Sequence, residues 1–157
     1  MSNSLLIKKK LKDFNKKISV SGDKSISIRW VLFASIANGI SIAQNLLISE
    51  DVISTLNCLK KLGVKIKISK TFCEIIGLGL NGFKYKNNLI LNAGNSGTLG
   101  RLVLGLLVHS KKKIRLKGDK SLSKRDFLRV IKPLKRFGAK FSSDHGKLPI
   151  IIQGTDH

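Results

Sequence analysis

The chain has 157 residues, of which 42% are apolar, and it carries a formal net charge of +21 at neutral pH. That length suits one ordinary domain with a real core, and the apolar content excludes an intrinsically disordered chain. The apolar runs are too short to span a bilayer, and the opening stretch MSNSLLIKKKLKDFNKK lacks the pattern of a secretory signal peptide. These features predict a soluble, cytoplasmic protein.

The basic charge leaves two classes of partner open. Lysine supplies 24 of the 30 basic residues, in short clusters along the chain, which fits either a polyanion such as nucleic acid or small anionic substrates. The single Trp and single Tyr provide no aromatic-rich strand for stacking bases. Charge alone therefore does not choose between the two classes.

The cysteines and histidines show no spacing that is typical of a metal or redox centre. Cys58 and Cys73 form no CxxC pair and have no nearby histidine partner, which predicts buried small hydrophobic residues. His109, His145 and His157 lie in segments without the partners that a catalytic triad or metal site needs. We assign these histidines no role.

A unit of roughly seventy residues occurs twice along the chain. The stretches TLNCLKKLGVKIKIS and VIKPLKRFGAKFSS align when Gly63 is placed on Gly138, an offset of 75 residues. The stretches SISIRWVLFASIANG and SGTLGRLVLGLLVHS align when Ser25 is placed on Ser96, an offset of 71 residues. The chain is therefore predicted to contain two copies of one structural unit.

Both units, at about 19–82 and about 88–154, predict the same order of elements. A helix opens on a small polar turn, and a short strand follows, ISIAQNLL in the first unit and KKKIRLKG in the second. A second helix ends at a glycine. The pairs VKIKIS/FCEIIGLG and AKFSS/LPIIIQG then predict hairpins, the second turning at DHGK. The fold class is therefore α/β.

Capping residues predict where the second helix of each unit begins and ends. In unit one, Ser49 suits the first position and Gly63 suits the position just beyond the helix. In unit two, Ser123 and Asp126 have the spacing of a capping box. Pro133 lies inside that second helix and predicts a kink.

The phrase GDKS occurs twice, beginning at Gly22 and at Gly118, which are 96 residues apart. This offset does not fit the repeat, because the first phrase precedes the first helix of unit one and the second precedes the second helix of unit two. The phrases therefore stand in different structural places. One composite site is a better hypothesis than one motif used twice.

Lys24, Ser25 and Arg29 have the chemistry of a phosphate site. Ser25 and Arg29 are four residues apart and share one face of a helix. The free amides at a helix start favour an anion, and the two cations and the hydroxyl add further donors. Asp23 stands where a Walker loop needs a glycine. The alternative is a capped helix with solvated basic side chains.

A second cationic helix start is predicted in NAGNSGTLGR, which follows the strand-like NLIL. Gly94 and Gly97 allow close approach of the backbone to a ligand, and Gly97 and Arg101 repeat the four-residue spacing. Arg125, near the start of the last predicted helix, can present a bidentate guanidinium to a carboxylate or phosphate. The alternatives are an ordinary glycine-rich turn and a solvated surface arginine.

Three motifs in this order, SGDKSISIR, NAGNSGTLGR and GDKSLSKRDFLRVIKPLKRFGA, together resemble the 5-enolpyruvylshikimate-3-phosphate (EPSP) synthase family. The resemblance covers almost the whole chain, from about Ser19 to Gly154. It implies repeated βαβαββ units packed as an inside-out α/β barrel, truncated here to about two units. That implication agrees with the doubled unit.

The resemblance implies an enzyme of the shikimate pathway, which supplies chorismate and the aromatic amino acids. The enolpyruvyl group of phosphoenolpyruvate is transferred to the 5-hydroxyl of shikimate 3-phosphate, and phosphate is released. The implied route is addition and elimination through a tetrahedral intermediate, with no metal and no organic cofactor. Bringing two multiply charged anions together requires a dense cationic pocket.

Motif matches imply a role for each residue singled out above. Lys24 would contact both substrates, and Ser25 and Arg29 would hold shikimate 3-phosphate. Gly97, through its backbone, and Arg125 would hold phosphoenolpyruvate. Two further motif positions, expected to line the same cleft, are Asn95 and Arg101.

The chain departs from the usual family pattern at several positions. Ser21 and Ile28 replace a proline and a histidine of PGDKSISHRA, and Trp30 stands where a small residue is common. The family's RPM is Arg125-Asp126-Phe127 here, and Gly100 is unusual just before the arginine that follows it. None of these changes removes an implied substrate ligand.

Family members are longer than this chain and have two domains. Their later substrate-binding motifs have no counterpart here, and no Asp or Glu matches the family's general acid or base. The sequence therefore predicts an amino-terminal portion of the synthase, either a truncated gene product or one part of a split enzyme. We expect it to be inactive alone, with the missing carboxy-terminal portion as a candidate partner.

Three alternatives are kept open. UDP-N-acetylglucosamine enolpyruvyltransferase is related, but its motif is of the GAKN type rather than GDKS. A small basic nucleic-acid-binding module would bind with steep salt dependence and would not respond to shikimate 3-phosphate. A non-functional remnant would lack a cooperative thermal transition.

Overall fold

A computed structural model describes residues 4–6, 8, 10, 15, 17–69 and 72–155. These residues form four α-helices, one short 3₁₀ helix and seven strands. The helices are α1 Lys24–Ile36, α2 Glu50–Lys61, α3 Gly97–Leu106 and α4 Leu128–Arg136, and a 3₁₀ helix spans Leu122–Lys124. The strands are β1 Asn38–Gln44, β2 Lys65–Ile68, β3 Phe72–Leu78, β4 Leu89–Asn92, β5 Ile114–Lys117, β6 Lys140–Asp144 and β7 Lys147–Gln153.

The described strands form two sheets. The first has the order β1-β3-β2 and is antiparallel throughout. The second has the order β4-β5-β7-β6, with β4 and β5 parallel and the other pairs antiparallel. Both predicted hairpins, β2/β3 and β6/β7, are confirmed, and the second turns at His145 and Gly146. The predicted α/β class is confirmed as well.

The order of elements repeats along the chain. The second half runs β4-α3-β5-α4-β6-β7, and the first half runs α1-β1-α2-β2-β3. The described part of the first half therefore lacks a counterpart of β4. Because β4 pairs with β5 in the second sheet, the corresponding edge of β1 has no strand partner among the described residues. The unit boundaries at about 19–82 and 88–154 stay predictions.

Side-chain caps fix the starts of three helices. The Asp23 carboxylate accepts a hydrogen bond from the Ile26 amide at 2.7 Å, and the Ser49 and Ser96 hydroxyls cap α2 and α3. Such caps satisfy amides that have no partner within the helix. Gly63 follows α2 with a φ of +91°, which favours glycine. The predicted cap at Ser49 and the predicted stop at Gly63 are confirmed.

The predicted capping box at Ser123 and Asp126 is wrong. Ser123 lies in the 3₁₀ helix, and α4 begins only at Leu128. The Asp126 carboxylate accepts a hydrogen bond from the Leu128 amide at 2.7 Å. Asp126 therefore caps the first residue of α4 from a position two residues before the helix begins. The physical reason is the complete burial of Phe127, which draws the chain into the core just before α4. Pro133 lies inside α4, as predicted.

One hydrophobic core joins both sheets and all four helices. Ile28, Leu59 and Leu104 are among its fully buried side chains. Cys58 and Cys73 are buried thiols, as predicted, and burial raises the pKa of Cys58 to about 11. Across the described ranges, no helix is both long enough and apolar enough to cross a bilayer.

The packing between α3 and the segment before α4 depends on one glycine. A Cβ at Gly100 would lie 3.1 Å from Cε1 and 3.3 Å from Cζ of Phe127, closer than ordinary van der Waals contact. The unusual glycine therefore leaves room for the phenylalanine that replaces methionine of the RPM motif. Two departures from the family pattern are in contact and compensate for each other.

We expect Gly100→Met to lower the free energy of unfolding by about 1–3 kcal/mol, because the added side chain overpacks the ring of Phe127. Adding Phe127→Met should recover most of this loss, since the smaller, flexible side chain relieves the overlap. Gly105→Met is the matched control on the same helix, because a Cβ there meets nothing within 4 Å. Urea unfolding measures all four chains, and equal stability of the Gly100 and Gly105 variants would contradict the packing argument.

Candidate functional site

The start of α1 holds two of the predicted site residues on one face. Arg29 Nη1 donates a hydrogen bond to the Ser25 carbonyl oxygen at 3.1 Å. The Asp23 cap fixes the first turn, so the Ser25 side chain and the Arg29 guanidinium follow the same helix edge. A guanidinium has five N–H donors, so an anion can bind Arg29 alongside this bond.

Lys24 points toward the start of α2. Its Nζ lies 3.3 Å from Oδ2 of Asp51, and its side chain is 53% exposed. Asp51 also lies in the first turn of α2, where the helix dipole favours a carboxylate. The two helix starts are therefore joined by an ion pair that the sequence did not reveal, because it connects residues from two different elements.

The turn before α3 requires glycine and touches α2. Gly94 has a φ of +56°, and a Cβ there would lie 2.9 Å from Oγ of Ser54. Asp51 and Ser54 are three residues apart on α2 and lie on one face. That face therefore contacts both Lys24 and the turn at Gly94, which brings the two predicted helix starts next to the same helix.

Two guanidinium groups converge on Gly97. A Cβ built on Gly97 would lie 2.8 Å from Nη1 of Arg101 and 3.0 Å from Nη1 of Arg125. Any larger residue at this position would force the ends of these arginine side chains to shift. Both nitrogens lie near one point, so the two like charges repel each other unless acceptors or an anion lie close to them.

Arg101 is held by two backbone carbonyls and one ring. It donates to the Gly97 oxygen at 3.3 Å and to the Asp126 oxygen at 3.2 Å. Its guanidinium carbon lies 5.1 Å from the centroid of the Phe127 ring, within the range of a cation–π interaction. Phe127 therefore supports the site as well as the core.

Arg125 is held by a relay of polar side chains. Its Nη2 donates to Oδ1 of Asn95 at 3.4 Å, and Nδ2 of Asn95 donates to Oδ2 of Asp119 at 2.6 Å. Oδ1 of Asp119 accepts from the Leu122 amide at 2.7 Å. The Asn95 amide and the Leu122 N–H lower the pKa of the Asp119 carboxyl from its usual value. Sequence reasoning missed Asp119, although it belongs to the second GDKS phrase.

The site residues thus form two groups. Asn95, Gly97, Arg101 and Arg125 lie together, and Ser25 and Arg29 lie together at the start of α1 with Lys24 beside them. The face of α2 described above is the link between the groups. Their union in one binding pocket stays a prediction.

Other parts of the described chain were not predicted to bind anything. A cavity of about 920 Å³ is lined by residues within 80–85 and 106–112 together with Thr155, and none of the predicted site residues line it. His109 is among its lining residues. Within the described ranges, no cluster of three or more His, Cys, Asp or Glu side chains could hold a metal ion.

Comparison with known proteins gives a consistent result. The family model described as EPSP synthase (3-phosphoshikimate 1-carboxyvinyltransferase) matches residues 8–157. The 3-phosphoshikimate 1-carboxyvinyltransferase of Thermoanaerobacter sp. (strain X514) is 45% identical over 139 residues, which are 88% of this chain and 32% of that protein. That of Ruthia magnifica subsp. Calyptogena magnifica is 46% identical over 137 residues, 87% of this chain and 31% of that protein.

A solved structure agrees with these sequence matches. EPSP synthase from Acinetobacter baumannii superposes with a TM-score of 0.81 at 38% identity, covering 88% of this chain and 32% of that chain. The present chain therefore spans about a third of the length of the curated relatives it matches.

We expect Asn95→Ala to raise the pKa of Asp119, because the Asn95 amide contributes most to lowering it. A carboxyl whose pKa is lowered by folding stabilises the fold above its unfolded pKa, and this contribution is lost as the pH falls through the folded pKa. A ¹³C NMR titration of the Asp119 carboxyl measures the shift. An unchanged Asp119 pKa in the variant would contradict the relay.

Proposed function

This chain belongs to the EPSP synthase (3-phosphoshikimate 1-carboxyvinyltransferase) family, and we propose that it binds shikimate 3-phosphate and phosphoenolpyruvate as part of such an enzyme. The reaction transfers the enolpyruvyl group to the 5-hydroxyl of shikimate 3-phosphate and releases phosphate. One observation carries the proposal: two guanidinium groups converge on the side-chain-free backbone of Gly97. Such a pair favours binding of an anion, and both substrates are anions.

Arg125 and the backbone of Gly97 bind phosphoenolpyruvate in this proposal. Arg125 is held through Asn95, so its planar fork is pre-oriented, and a pre-oriented fork suits a phosphate or carboxylate. Arg101 is anchored to backbone carbonyls and adds charge to the same cleft. Pre-organised cations lose little entropy when the anion binds.

Lys24, Ser25 and Arg29 bind shikimate 3-phosphate, and Lys24 also reaches phosphoenolpyruvate. The ion pair between Lys24 and Asp51 is half-exposed, and such pairs contribute little to stability. The ammonium can therefore exchange Asp51 for a substrate phosphate at small cost. The position of α2 against both helix starts supports a single cleft for the two substrates.

We can assign none of the described carboxylates as the general acid or base for proton transfer. Several of them already have structural partners: Asp23 and Asp126 cap helices, Asp51 pairs with Lys24, Glu74 pairs with Lys67 and Asp119 holds Asn95. General acid–base catalysis needs a titratable side chain within hydrogen-bond reach of the proton that is transferred, and the family pattern uses carboxyl groups for this role. We therefore propose that the acid and base come from a further polypeptide portion, and that this chain alone gives no turnover.

Exposed apolar side chains on α1 and on β1 support such a partner. Ile26 and Phe33 on α1 are 69% and 65% exposed, and Ile40 and Ile42 on β1 are exposed as well. An exposed apolar helix stripe and a strand edge without a partner among the described residues are each typical of surfaces that another segment covers. We propose the carboxy-terminal portion of the family's polypeptide as that segment.

Anion binding is tested by titrating the chain with phosphoenolpyruvate under NMR detection. We expect Arg125→Ala to weaken binding by about tenfold or more, since charge-assisted hydrogen bonds contribute about 1.5–3 kcal/mol. Gly97→Ala should weaken it similarly, because the methyl group displaces both guanidinium groups. Gly105→Ala, on the same helix with open space around its Cβ, should bind like the unchanged chain.

Binding that ignores both site variants would contradict the anion site. The competing nucleic-acid hypothesis, with which the net charge of +21 is also compatible, makes a different prediction: an oligonucleotide binds with steep salt dependence, and shikimate 3-phosphate gives no thermal protection.

The partner proposal predicts turnover when the chain is mixed with the carboxy-terminal portion of the Thermoanaerobacter relative, the part that does not align with this chain. Turnover is measured as phosphate release. Phe33→Lys should abolish this activity, because it places a charge in the covered surface. Phe137→Lys is the matched control, since Phe137 is 66% exposed at the end of α4. Equal activity of the two variants, no activity in any mixture, or turnover by the chain alone would each contradict the proposal.

A further inference from the structure

Asp119 has no assigned role in substrate binding, yet its carboxylate has a specific partner in the site. It lies in the loop between β5 and the 3₁₀ helix, and its backbone N–H donates to the Gly94 oxygen at 2.8 Å. Its two carboxylate oxygens accept from different groups, the Leu122 amide and Nδ2 of Asn95. The carboxylate is therefore fixed on both sides.

The chemistry of these groups determines the orientation of Asn95. An ionised carboxylate only accepts hydrogen bonds, so it must face the Nδ2 amino group of Asn95. The carbonyl oxygen of Asn95 is thereby turned toward Arg125, whose guanidinium only donates. Asn95 thus connects a donor to an acceptor, and only one of its two amide orientations satisfies both neighbours.

We propose that Asp119 is a positioning residue for the anion site, acting through Asn95 to hold Arg125 beside Gly97. This inference rests on the proposed function in that the bound anion is the one assigned to Arg125. For anion affinity, this proposal predicts the opposite of what charge repulsion alone predicts. A carboxylate near an anion site should weaken anion binding by repulsion, whereas a positioning carboxylate strengthens it.

Asp119→Asn separates the two effects. The new amide keeps an oxygen for the Leu122 N–H, so the local turn is preserved, but it offers Nδ2 to Asn95. Asn95 must then rotate to present its oxygen, and its amino group faces the donors of Arg125. We expect the affinity for phosphoenolpyruvate to fall about threefold to tenfold, the size of coupling seen between contacting residues, although a negative charge has been removed.

Asp126→Asn is the matched control. It removes the same charge one residue from Arg125, and the new amide can still cap Leu128. We expect a small rise in affinity from the lost repulsion. In an Asn95→Ala background, Asp119→Asn should also raise affinity, because the relay is already broken. Thermal unfolding of each variant tests that the fold is kept.

The ligand-free position of Arg125 is read separately, from its side-chain Nε–Hε resonance in the ¹H–¹⁵N NMR spectrum. Asp119→Asn should shift or broaden this resonance, and Asp126→Asn should shift it less. An unchanged resonance in the Asp119 variant, together with equal or tighter anion binding, overturns the positioning role while leaving the proposed function intact. Failure of the unchanged chain to bind phosphoenolpyruvate overturns the proposed function, and the ligand-free resonance still decides the role of Asp119.

Discussion

The site depends on keeping two mutually repelling cations beside one backbone segment that has no side chain. Arg101 and Arg125 both approach Gly97, and neither would stay there without acceptors on its other side. Arg101 receives these acceptors from the carbonyls of Gly97 and Asp126, and Arg125 receives one from Asn95. An anion bound there, as we propose, would relieve the repulsion that remains, and the unliganded side chains already have the arrangement that such a charge needs.

The two GDKS phrases explain how sequence similarity and structural position can differ. In each phrase the aspartate accepts a hydrogen bond at 2.7 Å from the amide three residues ahead, Asp23 from Ile26 and Asp119 from Leu122. The local turn is therefore the same, and an arginine follows six residues after each aspartate. The first turn continues into α1, whereas the second ends after one 3₁₀ turn because Phe127 enters the core. One local structure thus serves two places in the fold.

Local signals in the sequence predicted much of the fold but little of the contact geometry. The cap at Ser49, the stop at Gly63 and both hairpins depend on neighbouring residues, and all four are confirmed. The capping box at Ser123 has the expected spacing, but the prediction is wrong because the burial of Phe127 determines where the helix begins. The relay from Asp119 to Asn95, like the pair of Lys24 with Asp51, joins segments far apart in the chain. No periodicity reports such pairs, so only the folded chain reveals them.

Contacts in the folded chain also explain several departures from the family pattern near the site. Gly100 and Phe127 are each unusual alone, yet the bare glycine accepts the larger ring. The same ring lies under the guanidinium of Arg101, so a change in core packing also supports a site cation. Asp126, which replaces the proline of RPM, offers its carbonyl to Arg101 and its carboxylate to the Leu128 amide. Because this carboxylate is engaged in a cap, its charge is directed toward the start of α4, and the substitution is compatible with an anion beside Arg125.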